Sequence, residues 1–418
     1  MLRRVKNERS THRALAFILI TLLIDGIGAG IMMPVFPRLL VEITGESVSS
    51  AASYGGLLVA LFSIVQLLTA PLLGNLSDRY GRRPVLLVSL AALGIDYLAI
   101  GLAPTITWLY VAEALAGAFS ATFSAASAYV ADITPPQDRA KRFGLIGAVF
   151  GVGFMLGPLL GGLLSSHNTR VPFFVSAGLA LLNVLYGLFV LPESHRVENR
   201  RVFRWTRANP IGTFLQIRTQ PLVLRLLGAF VLLQTAMITM PVTWGYYTIL
   251  KFDWSQRLIG LSLSLSAALS IMVQSVVTGY ASRRLSHSQM EYIGFAFVFI
   301  SSLGFAFADR TSLMLAFLLP FALGSLTSAA LVSQMSNQAS FDTQGELQGA
   351  IATVSSAATC VTPLLMTQLF SHFSERSSGL YFPGAPYLVS ALFAGAGCFL
   401  TRRAHIRASA LNAETART

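Results

Sequence analysis

Three carboxyl side chains, Asp25, Asp96 and Glu113, lie inside apolar runs of this chain, with no Lys or Arg in the same runs. An ionised carboxylate at bilayer depth costs at least about 2.5–3.5 kcal/mol. Such a group needs water, a partner or a proton. A carboxyl that takes a proton from one side of a membrane and gives it up to the other can couple proton flow to movement of the chain. Asp25 stands beside Gly26, Gly28 and Gly30, and Asp96 beside Tyr97. A second polar set crowds Asp78, Arg79, Arg82 and Arg83 into the stretch Gly74–Pro84, between Gly74 and Gly81, with Asp132 and Arg139 in the next polar segment. Facing one another, these charges would form a partly desolvated network able to hold a gate shut. The bland reading of this set is a row of topology determinants. A third pattern is Gly-x-x-x-Gly-Pro-x-x-Gly at Gly153, Gly157, Pro158 and Gly161. Small residues four apart let two helices touch, and a proline removes one backbone hydrogen bond and permits a bend.

The elements that position these residues follow from composition. The chain is 54% hydrophobic and only 11% charged, against about 25% charged residues in a soluble protein. It contains about twelve apolar runs of roughly 20 residues, the length of a bilayer-spanning helix. None shows the one-sided charge of a soluble amphipathic helix. The reading is an all-α membrane protein with twelve transmembrane helices in two six-helix halves, both termini cytoplasmic. Expected boundaries are a basic arm at 1–13, an N-terminal half at 14–191, a linker at 192–220, a C-terminal half at 221–401 and a tail from 402 to 418 that is basic, polar and disordered. Of the 30 Lys and Arg residues, all but Arg38, Arg170, Lys251, Arg257, Arg310 and Arg376 then fall on the cytoplasmic side, as the positive-inside rule requires. Gly74–Pro84 becomes a short inner turn between spans 2 and 3, and an outer loop runs from the end of span 1 to about Ser53. The linker carries Arg196, Arg200, Arg201, Arg204, Arg207 and Arg218, and Trp205 and Phe214 suggest a short helix lying on the membrane face. Gly279–Leu285, with Arg283 and Arg284, stands where a second inner turn would, a faint sign of an internal repeat.

Other chemistries find little support. The net charge of +12 sits in short inter-span loops and not in a nucleic-acid-binding surface. Cys360 and Cys398 lie inside apolar runs without metal-ligand spacing and read as small buried residues. His12, His167, His195, His287, His372 and His405 fall in loops or tails, and no Ser/His/Asp or metal-spaced set appears. An enzyme is therefore not expected, nor any metal or cofactor. The energy source would be a proton gradient, and the partners protons, a small-molecule substrate and the lipid bilayer, with the chain working as a monomer. Gln66 in the first half, and Gln234, Thr239, Thr243, Trp244, Tyr246, Tyr247 and Gln274 in the second, would suit a pocket for an organic molecule with rings or hydroxyls. Trp and Tyr also gather at membrane interfaces, so Trp244, Tyr246 and Tyr247 have a second reading as an aromatic belt. The second half is expected to hold no buried charge.

Gly74–Pro84 reads Gly-Asn-Leu-Ser-Asp-Arg-Tyr-Gly-Arg-Arg-Pro, and this resembles the signature between spans 2 and 3 of the major facilitator superfamily. Asp25-Gly-x-Gly-x-Gly-Ile-Met-Met-Pro-Val-x-Pro is similar to span 1 of the tetracycline:proton antiporters, a branch of the 12-span drug:proton antiporters. Asp96-Tyr97, Ala131-Asp132, Phe143-Gly144, the Gly-Pro motif, Leu347-Gln348-Gly349 and Pro363-Leu364-Leu365 extend the resemblance over roughly 19–369. It implies export driven by inward proton flow. It assigns Asp25 and Asp96 to acids the family needs, and Asp78, Arg82 and Asp132 to its inner gate. The chain departs from the pattern in three places. Glu113 stands where the family has a span 4 arginine, Ser270 near its span 8 histidine, and Ile300 at its span 9 acid. Tetracycline, another drug and an endogenous metabolite such as a siderophore remain open as cargo, and uptake by symport remains open as a direction.

Overall fold

Helices whose outer faces are as apolar as their inner ones make up this protein. Phe189 is 87% exposed and Leu68 69% exposed. In water such side chains would be buried; here they face the hydrocarbon of a bilayer. The computed structural model describes residues 2–166, 168–195, 198, 221–338, 344–375 and 379–415. The linker residues Arg200, Arg201, Arg204, Trp205, Arg207, Phe214 and Arg218 lie outside the described residues, as do His167, Arg196 and Arg376.

Among the described residues, 11 helices are long and apolar enough to cross a membrane. The expected twelfth span begins the helix Ala385–Thr415, but its apolar run stops at Arg402 and Arg403 and falls short of the others. That helix also corrects the expectation of a disordered tail from Arg402, because it continues to Thr415.

The chain divides into two compact units, residues 1–208 with 254–264, and residues 209–253 with 265–418. The first contains α1 (Leu2–Thr44), α2 (Val48–Tyr80), α3 (Arg82–Leu102), α4 (Ile106–Phe119), α5 (Thr122–Ile133), α6 (Arg139–Leu164) and α7 (Val171–Val190). Here α1 lies along α6, α3 against α7 and α2 against α4. Phe17, Ile18 and Leu22 of α1 meet Leu86 and Leu90 of α3 and Tyr129 of α5 in its core.

Several boundaries move. The outer loop expected to reach Ser53 is only Gly45–Ser47, since α1 runs through Pro34 and Pro37 to Thr44. The Gly74–Pro84 turn is mostly helix. Gly74 to Tyr80 ends α2, and the chain leaves the helix only at Gly81, whose φ of 111° favours glycine. Gly74 itself sits in open space, where an added Cβ would meet nothing within 4 Å, so it mediates no close helix approach. Span 4 is broken between α4 and α5 at Ser120 and Ala121, with no proline to mark the place. Polar side chains from α2 serve the break. Gln66 Nε2 donates to Ser120 Oγ (2.7 Å) and Thr69 Oγ1 to the Gly117 carbonyl (3.3 Å).

The second unit packs α8 (Pro221–Phe252) against both α15 (Gln344–Ser374) and α16 (Ala385–Thr415). Helix α9 (Gln256–Met272) starts in the first unit and passes through a π-helical turn at Val273–Val277 into the short α10 (Thr278–Ala281). Helix α11 (His287–Phe307) packs on α16, while span 10 comes in three pieces, α12 (Thr311–Ala316), α13 (Leu318–Leu323) and α14 (Ser325–Gln338).

Candidate functional site

In the first unit, α1, α3 and α4 bring the three carboxyl groups to one neighbourhood. Asp96 and Glu113 are 7% and 6% exposed, and Asp25 is half-buried. Tyr97, 2% exposed, is within electrostatic reach of all three, and Glu113 interacts with Asp96. Tyr97 fits because Gly28 has no side chain: a Cβ there would collide with the Tyr97 hydroxyl. Gly28 thus makes room for the ring that joins the acids. One oxygen of Asp96 is buried without a hydrogen-bond partner. None of the three acids makes an ion pair among the described residues. Sequence reasoning placed Tyr97 only as a neighbour of Asp96, and its contact with Gly28 across two helices is a tertiary fact.

Helices α1 and α6 touch backbone to backbone. Gly26 faces Gly153 and the Phe150 carbonyl; Gly30 faces Gly157 and Pro158; Gly161 faces Ile31. Helix α6 runs continuously through Pro158 from Arg139 to Leu164. The seam fixes the part of α1 that carries Asp25. Gly157→Val would drive a branched side chain into the Ile27 carbonyl and Gly30. Overpacking of this kind costs about 1–3 kcal/mol. Thermal unfolding of the detergent-purified variant should show a clear loss of stability. Gly178→Ala, at a helical site with nothing within 4 Å, should show none.

At the other end of the unit, Arg82 bridges two acids. Its Nη1 lies 2.7 Å from Asp78 Oδ1 and its Nε 3.4 Å from Asp132 Oδ2, and Nη1 also donates to Ser77 Oγ (3.2 Å). Arg83 donates to the Leu188 carbonyl (2.6 Å). Arg79 and Arg139 stay outside this set: Arg79 stacks on Tyr80, and Arg139 donates to the Thr134 carbonyl (3.4 Å). The segment after α7, expected to begin a linker, is part of the cluster. Glu193 accepts from the Arg82 backbone N–H (2.9 Å) and the Arg83 N–H (3.3 Å), capping the positive end of α3. Ser194 and His195 both reach Asp132 Oδ2 (3.1 and 3.6 Å). A carboxylate after a proline gave no signal of this in the sequence.

The expected aromatic pocket of the second unit is filled core. Trp244, Tyr247, Thr239 and Thr243 are fully buried and Tyr246 is 5% exposed. The Tyr247 hydroxyl donates to the Phe305 carbonyl (2.7 Å), Trp244 packs edge-on against Phe305, and Thr239 and Thr243 bond back to their own helix. These residues therefore neither line a pocket nor form an interfacial belt. Gln234 is half-buried, and Gln274 is exposed within the π-helical turn.

The expectation of no buried charge in this half is also corrected. Glu291 is wholly buried, and His405 Nε2 lies 2.8 Å from its Oε2. Gln334, with its amide oriented to satisfy both neighbours, donates to the same carboxylate and accepts from His405 Nδ1. Among the described residues no cluster of His, Cys, Asp and Glu has the makings of a metal site.

The Major Facilitator Superfamily model matches residues 18–363. The chain belongs to that superfamily. It is 38% identical to the class C tetracycline resistance protein of Escherichia coli over 370 residues, covering 88% of this chain and 93% of that one. To the class H tetracycline resistance protein of Pasteurella multocida it is 31% identical, covering 91% and 94%. The solved nucleoside transporter NupG shares its fold with a TM-score of 0.77 at 12% identity, over 94% of this chain and 99% of that one. A bacterial homologue of the human lysosomal transporter Spinster aligns equally well, with a TM-score of 0.77 at 13% identity over 94% and 96%. This superfamily member is a multi-pass protein of the bacterial inner membrane, in the tetracycline-resistance-like branch. It is a proton-coupled secondary transporter of a small organic compound, and transport rather than catalysis is its activity.

Proposed function

We propose that this transporter exports a small amphiphilic organic compound in exchange for protons, by alternating access. Asp25, Asp96 and Glu113 are the coupling groups. The observation that carries this is their convergence around Tyr97 with no ion-pair partner among the described residues. Protons entering from outside load Asp25 or Glu113 and help release the cargo; on the inner side they leave and cargo binds again. The Arg82 bridge between Asp78 and Asp132, with Gly74, Arg79, Gly81, Arg83 and Arg139 around it, is the inner gate, and the seam at Gly153, Gly157, Pro158 and Gly161 carries α1 with α6. Both termini lie in the cytoplasm, residues 14–191 and 221–401 are two six-helix halves joined by 192–220, and a monomer suffices.

The names of the relatives support a tetracycline-like drug as cargo. Glu113, an acid where the resemblance places an arginine, reverses the local charge, and an endogenous metabolite or siderophore is the alternative cargo. An efflux-deficient host expressing this chain, grown against tetracyclines, other amphiphilic antibiotics, siderophores and chelators, distinguishes the two. Raised tolerance to at least one compound is expected, with that compound driving proton release from energised everted vesicles. Compound accumulation that rises when the outside is acidified would instead mean uptake.

A further inference from the structure

At the end of the first unit opposite Gly81, the chain builds a polar cavity of about 540 Å³, within the range of small-molecule sites. Arg38, Arg170 and Arg257 line it, with Glu42 as the only acid among the described residues. Glu42 is engaged by the Thr169 hydroxyl (2.5 Å). Arg170 is anchored through Nη1 to the Gly101 and Ala103 carbonyls, both at 2.9 Å, which fixes its position and leaves its other N–H groups over. Arg38 and Arg257 are exposed and make no ion pair among the described residues.

The floor is the start of α9. Its first residue, Gln256, lines the cavity, is 6% exposed, and its side-chain nitrogen has no hydrogen-bond partner. A buried amide donor left unsatisfied costs about 1–3 kcal/mol, and an acceptor in the cavity would remove that cost. The backbone explains why Gln256 is held there. Gly162 of α6 packs against the Gln256 carbonyl and Gly260 against that of Pro158. The positive end of a helix, three guanidinium groups and an unpaired amide N–H therefore surround one space, all favouring a negatively charged acceptor.

We propose that this cavity binds a phosphate-type oxyanion, held by Arg38, Arg257 and Gln256. Phosphate chemistry has two sources here, a soluble phosphate and the headgroup of an anionic phospholipid. Both are tested on the full-length protein. In one arm inorganic phosphate is titrated into detergent-purified protein by calorimetry at low ionic strength. In the other, native mass spectrometry counts phosphatidylglycerol against phosphatidylcholine retained from mixed vesicles. Saturable binding is expected in at least one arm, and the arm that responds names the source. It should weaken at least about tenfold in the Arg38→Gln/Arg257→Gln variant, a loss of about 1.4 kcal/mol. Gln256→Glu should weaken it as well. Arg283→Gln/Arg284→Gln, with the same change in net charge elsewhere, should leave it intact. Absence of binding in both arms would overturn the proposal. Equal weakening in the two double variants would overturn it too, because binding would then follow net charge alone.

Discussion

Asp25→Asn should abolish substrate-driven proton movement in reconstituted vesicles, down to the level of empty vesicles, while the protein still folds and inserts. The amide keeps the shape of the carboxyl but cannot carry a proton through the cycle. The side chain lies on the part of α1 pinned by Gly26 and Gly30 against α6, so replacement leaves the seam untouched. Asp96→Asn should reduce coupling too, and exchanging a buried carboxyl that has no ion-pair partner among the described residues for a neutral amide should leave the fold no less stable. If Asp25→Asn moved protons as well as the unaltered protein, Asp25 would have no part in coupling, whatever the fate of the other two.

His405→Ala is expected to give the largest loss of stability of any single side-chain truncation in the second unit. Glu291 is wholly buried, and His405 Nε2 lies 2.8 Å from its Oε2. Removing one partner of a buried pair typically costs about 3–5 kcal/mol, because the remaining group keeps its desolvation cost without compensation. Gln334 still donates to the carboxylate, which places the expectation at the lower end of that range. The double variant Glu291→Gln/His405→Ala should recover much of the loss, since no charge is then buried. Thermal unfolding of the two variants beside the unaltered protein measures this directly. Equal losses in the single and double variants would mean that packing, and not the charge, sets the cost. The same contact ties α11, α14 and α16 together, so the helix beyond Arg402 is held by a specific bond.

Much of the architecture was legible in the sequence. Spans declare themselves because a bilayer has no polar partner for an exposed backbone, so each crossing must be a long apolar helix. The membership of the superfamily was carried by a few fixed residues from Asp25 to Pro84. Breaks inside spans were hidden. Ser120–Ala121 has no proline, and its freed groups are served by Gln66 and Thr69 from another helix. The aromatic residues of the second half misled for a related reason. Trp244 and Tyr247 look the same in sequence whether they line a pocket, sit in a belt or fill a core, and only Phe305 and Tyr387 packed around them decide for the core.

By itself the sequence determined that this is a many-span helical transporter with three acids inside the spans of its first half, because hydrophobic length and the cost of buried charge are local properties. Only the tertiary structure decided which of its charges are partnered. Glu193 on the N-terminus of α3, His405 on Glu291, and Tyr97 beside Asp25 and Glu113 each bring together segments distant in the chain. Burial and pairing depend on which faces meet, and that information exists only once the helices have packed.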